Sequence, residues 1–135
     1  MTTIYLVEGS WSDYESQGYW AARAFTTLAA AEQYRDLCQQ YTDQYCEDFW
    51  NAFAVKFGEP VAGRDGCAIY EINAFDAETN QYPGMEFADA WFGYCCPDDH
   101  PGKMKMRAGS PDPRLEMLEG KPSRYRVVEV ELVSA

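Results

Sequence analysis

The chain has 135 residues, a length that fits one domain able to bury about two thirds of the surface its unfolded chain exposes, so folding calls for neither a disulfide nor a metal. Its net charge of −11 argues against direct binding to DNA or RNA, where phosphate contacts need Lys and Arg, and against anionic membranes. Aromatic residues reach 16%, more rings than one small core hides, so several are expected at the surface.

In chain order, Ile4 to Val7 is a short apolar run with β-branched and aromatic members and reads as a strand. Glu8 to Gly18 is rich in Gly, Ser and Asp and reads as a turn, and Tyr19 to Phe25 alternates as a second strand, which together make an antiparallel hairpin. Thr26 and Thr27 offer a helix N-cap before an Ala-rich segment of high helix propensity. Leu28, Ala31, Tyr34, Leu37, Cys38, Tyr41 and Tyr45 recur at steps of three and four and define one apolar face. A single helix from Leu28 to Phe57 would be long for a small domain, so a break is expected between Tyr41 and Asp48, and Gly58-Glu59-Pro60 ends the helix.

Cys67 to Phe75 reads as a strand, Asp76 to Gly84 as a loop, and Glu86 to Tyr94 fits either a strand or a short helix. Lys103 to Arg107 alternates Lys and Met, as an edge strand guarded by lysines does, and Gly109 to Ser123 reads as mostly loop. Arg124 to Val133 is the cleanest strand, with Arg126, Val128, Val130 and Leu132 on one face and Val127, Glu129 and Glu131 on the other. The expected fold is a single α+β domain: an antiparallel sheet of Ile4–Val7, Tyr19–Phe25, Cys67–Phe75 and Arg124–Val133, with one main helix packed on one face.

Charge is unevenly placed. Residues 1–102 hold seventeen acids against four bases, whereas residues 103–126 hold seven bases (Lys103, Lys105, Arg107, Arg114, Lys121, Arg124, Arg126) against three acids. An acidic body thus precedes a locally basic segment. No apolar stretch approaches the ~20 residues that span a bilayer. The five cysteines (Cys38, Cys46, Cys67, Cys95, Cys96) are odd in number, and no secretory leader is recognised, so they read as free thiols of a reducing cytosol.

The stretch Tyr5-Leu-Val-Glu-Gly-Ser-Trp-Ser-Asp-Tyr, then Gly18-Tyr-Trp and Phe25-Thr-Thr before the helix, resembles a family of small uncharacterised phage and bacterial proteins that open on a Ser-Asp-Tyr hairpin. Val128-Glu-Val-Glu-Leu matches that family's closing strand, and residues 50–120 look like an insertion into the shorter pattern. The resemblance implies an accessory protein of a bacterial host cytoplasm and carries over no catalytic residue. In size and charge the chain also resembles the anti-CRISPR class.

Three chemistries were weighed. Cys95, Cys96 and His100, in Cys-Cys-Pro-Asp-Asp-His, are residue types that bind zinc or build a thiol nucleophile, but adjacent cysteines diverge, His100 is the only histidine, and Cys46 or Cys67 would have to complete the set. The bland reading is buried or half-buried thiols before a Pro-closed turn. Pairs such as Glu47-Asp48 and Asp98-Asp99 are expected by chance among 22 acids, and no phosphate-binding Gly loop is present.

The turn around Glu8, Trp11, Asp13, Tyr14 and Glu15 sets aromatic anchors among charges, as protein interfaces do, or else packs on itself. The expectation is therefore a non-enzymatic, acidic inhibitor or interaction protein without a cofactor. It would touch a basic, nucleic-acid-binding surface of a host protein or ribonucleoprotein, such as a CRISPR effector, through Glu8, Trp11, Asp13, Tyr14, Glu15, Glu47 and Asp48. A small metal- or thiol-dependent enzyme and a self-assembling accessory protein are the alternatives.

Overall fold

A computed structural model describes residues 2–13, 16–58, 72 and 75–133. Three strands, β1 (Thr2–Ser12), β2 (Gln17–Phe25) and β3 (Arg124–Leu132), form an antiparallel sheet in the order β2-β1-β3. The first strand runs five residues beyond Val7, so the segment expected to turn from Glu8 is still paired: Glu8 faces Ala21 and Ser12 faces Gln17, after a bulge at Val7/Glu8. Gly9 makes this extension possible, because a Cβ there would lie 2.3 Å from the Trp20 ring. The hairpin closes between Asp13 and Ser16, whose amide donates to the Asp13 carboxylate at 2.7 Å.

Period-two alternation turns Val7, Tyr125 and the half-buried Tyr5, Trp20 and Val127 into the core. On β3, Arg126, Val128, Val130 and Leu132 take the other face, as the alternation predicts, and Tyr125 and Val127 face inward.

Helix α1 (Leu28–Phe57) follows. Thr27 is its N-cap and accepts from the Ala30 amide at 3.2 Å, and the Gly58 amide closes its end on the Ala54 carbonyl. The expected break is absent: α1 is 30 residues long, about 45 Å at 1.5 Å per residue. Tertiary bonds hold the middle where propensity alone would not. Gln39 donates to the Ser123 carbonyl at 2.8 Å and accepts from the Tyr125 amide at 2.9 Å, and Thr42 accepts from the Ser123 amide at 2.9 Å. Trp50 donates to the Gly120 carbonyl at 2.9 Å. The buried line is Ala31, Tyr34, Cys38, Thr42, Tyr45, Cys46, Phe49 and Phe53. Leu28 and Leu37, expected on it, are exposed, because Leu28 opens the helix and Leu37 lies on its flank.

The Glu86–Tyr94 ambiguity resolves to helix: α2 spans Pro83–Phe92, with Pro83 in its first turn and Gly93 ending it in the left-handed region at φ 57°. The edge strand expected over Lys103–Arg107 is instead part of α3 (Pro101–Ala108). Pro101 in the first turn and His100 as cap favour a helix there, and the alternation was misleading. In a strand Met104 and Met106 would share a face, whereas here Met106 is fully buried and Met104 is 56% exposed.

Most of the strand expected over Cys67–Phe75 lies outside the described residues. Within it Ile72 is helical and buried, and Phe75 belongs to no strand. The distal half of α1 packs on α2 through an aromatic cluster centred on Phe49, whose ring lies 4.8 Å from Phe92, 5.7 Å from Phe87 and 5.8 Å from Trp91. Residues 109–123 form the expected irregular segment, yet it is a buried strap, with Asp112, Leu115, Met117 and Ser123 inaccessible. One core unites the sheet, all three helices and this strap.

Candidate functional site

The exposed face of α1 carries the molecule's most ordered charge pattern. Glu32, Asp36, Asp43 and Glu47 are spaced by four, seven and four residues, so at 3.6 residues per turn they fall within about 60° of arc along about 22 Å of helix. All four are exposed, as is the flanking Asp48. Arg35 is the only cation between Glu32 and Asp48, and it pairs with Asp36 at 2.9 Å. Asp43 and Asp48 accept from Gln39 and Gln44 one turn earlier, at 3.0 and 2.9 Å, which orients both carboxylates without neutralising them. Of the expected partner-binding residues, Glu47 belongs to this row and Asp48 lies about 100° round the helix from it. Its other members were legible as a four–seven–four spacing of acids opposite the apolar line.

Glu8 is paired with Arg126 across β1 and β3 at 2.7 Å. Trp11 sits edge-on against Tyr94 at 5.3 Å, and Asp13 caps the turn through the Ser16 amide and hydroxyl. Tyr14 and Glu15 lie outside the described residues. Of these residues, Asp13 makes its contacts within the turn, whereas Glu8 and Trp11 tie β1 to β3 and to Tyr94.

The thiol–imidazole cluster gains a member that the sequence did not suggest. Asp89, on α2, bridges the other two: its carboxylate lies 3.2 Å from the Cys96 sulfur and 3.0 Å from His100 Nε2. Asp89, Cys96 and His100 converge closely enough to hold a metal ion, leaving a fourth position open. The imidazole is oriented against that use. His100 Nδ1 accepts the Gly102 amide at 3.1 Å, so Nε2 carries the proton and donates it to Asp89. A histidine that binds metal through one nitrogen normally donates from the other, and here the other nitrogen faces a donor. The buried ammonium of Lys103, which donates to the Cys96 carbonyl at 2.6 Å, adds a positive charge nearby.

Nor is the thiol primed as a nucleophile. Its hydrogen bond to Asp89, followed by burial, pushes the Cys96 pKa up, so the thiol is held protonated, and it contacts Asp89 rather than the imidazole. Cys95 points elsewhere and is exposed, at φ 60°, which corrects the expectation that both thiols are covered. Cys46 is buried away in the helix and hydrogen-bonds the Gly120 carbonyl at 3.2 Å, and Cys67 lies outside the described residues. The cluster acts as a clamp between the end of α2 and the start of α3.

Sequence reading also missed Asp112. Fully buried and without an ion pair among the described residues, it accepts from Trp20 Nε1 at 2.8 Å, the Tyr125 hydroxyl at 2.7 Å and the Arg114 amide at 2.9 Å. Nothing in Pro-Asp-Pro-Arg announces this, because the three donors come from β2, β3 and the strap itself.

No helix among the described residues is long and apolar enough to cross a membrane. No protein-family model matches the chain, and neither a curated protein nor a solved structure was found to resemble it.

Proposed function

We propose that this chain is a non-enzymatic binding protein of the bacterial cytoplasm whose α1 face occupies a basic surface of a partner protein, in the place that nucleic acid would take. The row Glu32, Asp36, Asp43 and Glu47 carries the reading. It is rigid, exposed, linear and opposed by a single cation, which is what substitution for a run of phosphates requires. The clamp geometry of Asp89, Cys96 and His100 supports the non-enzymatic half of the reading, since its thiol is held protonated. A counter-defence role against a nucleic-acid-guided effector is the form of this activity that the size and charge of the chain suggest.

The test is affinity capture from a bacterial lysate with the wild-type chain and with Glu32→Gln/Asp36→Asn/Asp43→Asn/Glu47→Gln, followed by titration of the co-eluting protein at several salt concentrations. Four exposed pairs at ~0.2–1 kcal/mol each predict a loss of about 1–4 kcal/mol in binding and a steep fall of wild-type affinity with salt. Equal affinity for both chains, or a flat salt profile, rejects the proposal.

A further inference from the structure

Ten of the eleven Lys and Arg residues are described, and eight of them are spent on the protein itself. Arg35, Lys103, Arg107 and Arg126 pair with carboxylates. Arg23, Lys56 and Lys105 lie over aromatic rings, and Arg114 donates to the Ala21 carbonyl. The side chains of Lys121 and Arg124 have no such partner among the described residues, and both line one cleft of about 350 Å³ beside the end of β1 and the start of β3. Its other walls include the hydroxyl residues Ser10 and Ser12 and the apolar surface of Trp11 and Leu118; among the described residues none of those lining it is acidic.

We infer that this cleft binds a small phosphate monoester carrying an aromatic or apolar group. An Arg fork, a Lys ammonium and the Ser12 hydroxyl supply more donors than a carboxylate can use, and they suit the three terminal oxygens of a phosphate, while the Ser10 hydroxyl donates to the Arg124 carbonyl at 3.5 Å. The apolar side suits the organic group, and the volume lies at the small end of ligand clefts, which run from roughly 300 Å³ upward. The net charge of the chain is negative, and among the described residues this cleft is where the two cations without an internal partner come together. This inference is independent of the α1 reading, as it concerns the opposite charge and other residues.

The experiment is calorimetric titration of the full chain with phenyl phosphate, inorganic phosphate, benzoate and phenol, with the backbone and indole amide signals followed by NMR. Phenyl phosphate is expected to bind more tightly than the other three and to move the Trp11 indole signal. Lys121→Gln and Arg124→Gln should each weaken phenyl phosphate about tenfold, the size of one charge-assisted hydrogen bond. Lys105→Gln, which removes the cation 4.6 Å from the Trp91 ring, should leave it unchanged. No binding of phenyl phosphate at millimolar concentration, equal binding of all four probes, or unaltered affinity in the Lys121→Gln/Arg124→Gln chain overturns the site. Inorganic phosphate bound as tightly as phenyl phosphate overturns the ester. Unchanged amide spectra away from the cleft separate these results from a loss of fold.

Discussion

Replacing Asp112 by Ala removes the acceptor on which two strands and the strap converge. Trp20 Nε1 and the Tyr125 hydroxyl both donate to Oδ2, and Tyr125 is almost wholly buried, so neither donor regains water easily when the carboxylate is gone. The third donor, the Arg114 amide, belongs to an exposed residue and is discounted. Two stranded donors at about 1–3 kcal/mol each give a destabilisation of about 2–6 kcal/mol. For a domain of this length each kcal/mol shifts the melting temperature by about 3–5 °C, so thermal unfolding followed by circular dichroism should show a drop of about 6–30 °C. Asp112→Asn should cost less, about 1–2 kcal/mol, because the amide keeps an acceptor for one side and presents a donor to the other. Tyr125→Phe removes one donor, and its cost combined with Asp112→Ala should fall short of additive, since both remove the same bond. A melting temperature for Asp112→Ala within 3 °C of wild type, or strict additivity in that cycle, would refute the node as a source of stability.

Other consequences follow from the same contacts. Burial pushes the Cys38 and Cys46 thiols up to about 11, so an aromatic disulfide reagent at pH 8 should label the exposed Cys95 rapidly and leave Cys38 and Cys46 unlabelled until the chain unfolds. Tyr34, Tyr45 and Tyr125 are likewise raised, chiefly by burial. The neutral forms are thus favoured in the fold, and the stability they contribute is intact below the unfolded values and lost as pH rises through the folded ones. The tyrosinate absorbance of these buried rings should therefore appear only together with the loss of circular dichroism, in an alkaline transition beginning above about pH 10, and ionisation of every tyrosine before any loss of helix would contradict the burial. Gly102→Ala would place a Cβ 2.4 Å from the Asp89 carbonyl oxygen and should cost about 1–3 kcal/mol by forcing α2 and α3 apart, read as a lowered denaturation midpoint.

The elements that the sequence predicted well are those whose signal is local. Thr27 before an Ala-rich run, Gly58 after Phe57, and the alternation of Arg124–Leu132 each act within a few residues and appear as read. The misses came where distant partners decide. The length of α1 depends on Gln39, Thr42 and Trp50 meeting residues 120–125, a sequence separation that no periodicity encodes. The Lys-Met alternation in α3 imitates a strand because only five residues were considered, too few to separate a period of two from one of 3.6, and Pro101 was the deciding signal. At the candidate site Glu47 and Asp48 are legible as partner-binding candidates, but the row that Glu47 forms with Glu32, Asp36 and Asp43 needs the unbroken α1 to line up. Asp89 was absent from the thiol–imidazole reading because it sits seven residues before Cys96, on a helix whose existence the sequence left open.

The fold turns most of the locally basic segment 103–126 inward on the domain. Lys103 and Arg107 turn back to Glu116, Arg107 also reaches Asp98, and Lys105 covers Trp91. Farther along, Arg126 answers Glu8 and Arg114 binds a backbone carbonyl of β2. Each of these cations fixes a piece of the strap or of α3 against the rest of the domain, so their cost in lost hydration is offset by order in a segment that has no ladder of its own. Two results follow from one economy of charge. The carboxylates of α1 have almost nothing left to neutralise them, and their field extends into solvent over about a Debye length, ~8–10 Å at ordinary salt. Among the described residues, the two cations without an internal partner, Lys121 and Arg124, line the same cleft. An even scatter of unpaired Lys and Arg would have produced a weak, uniform negative surface. The fold instead sets the carboxylate row of α1 apart from a recess lined by Lys121 and Arg124, and both proposed recognition roles rest on that separation.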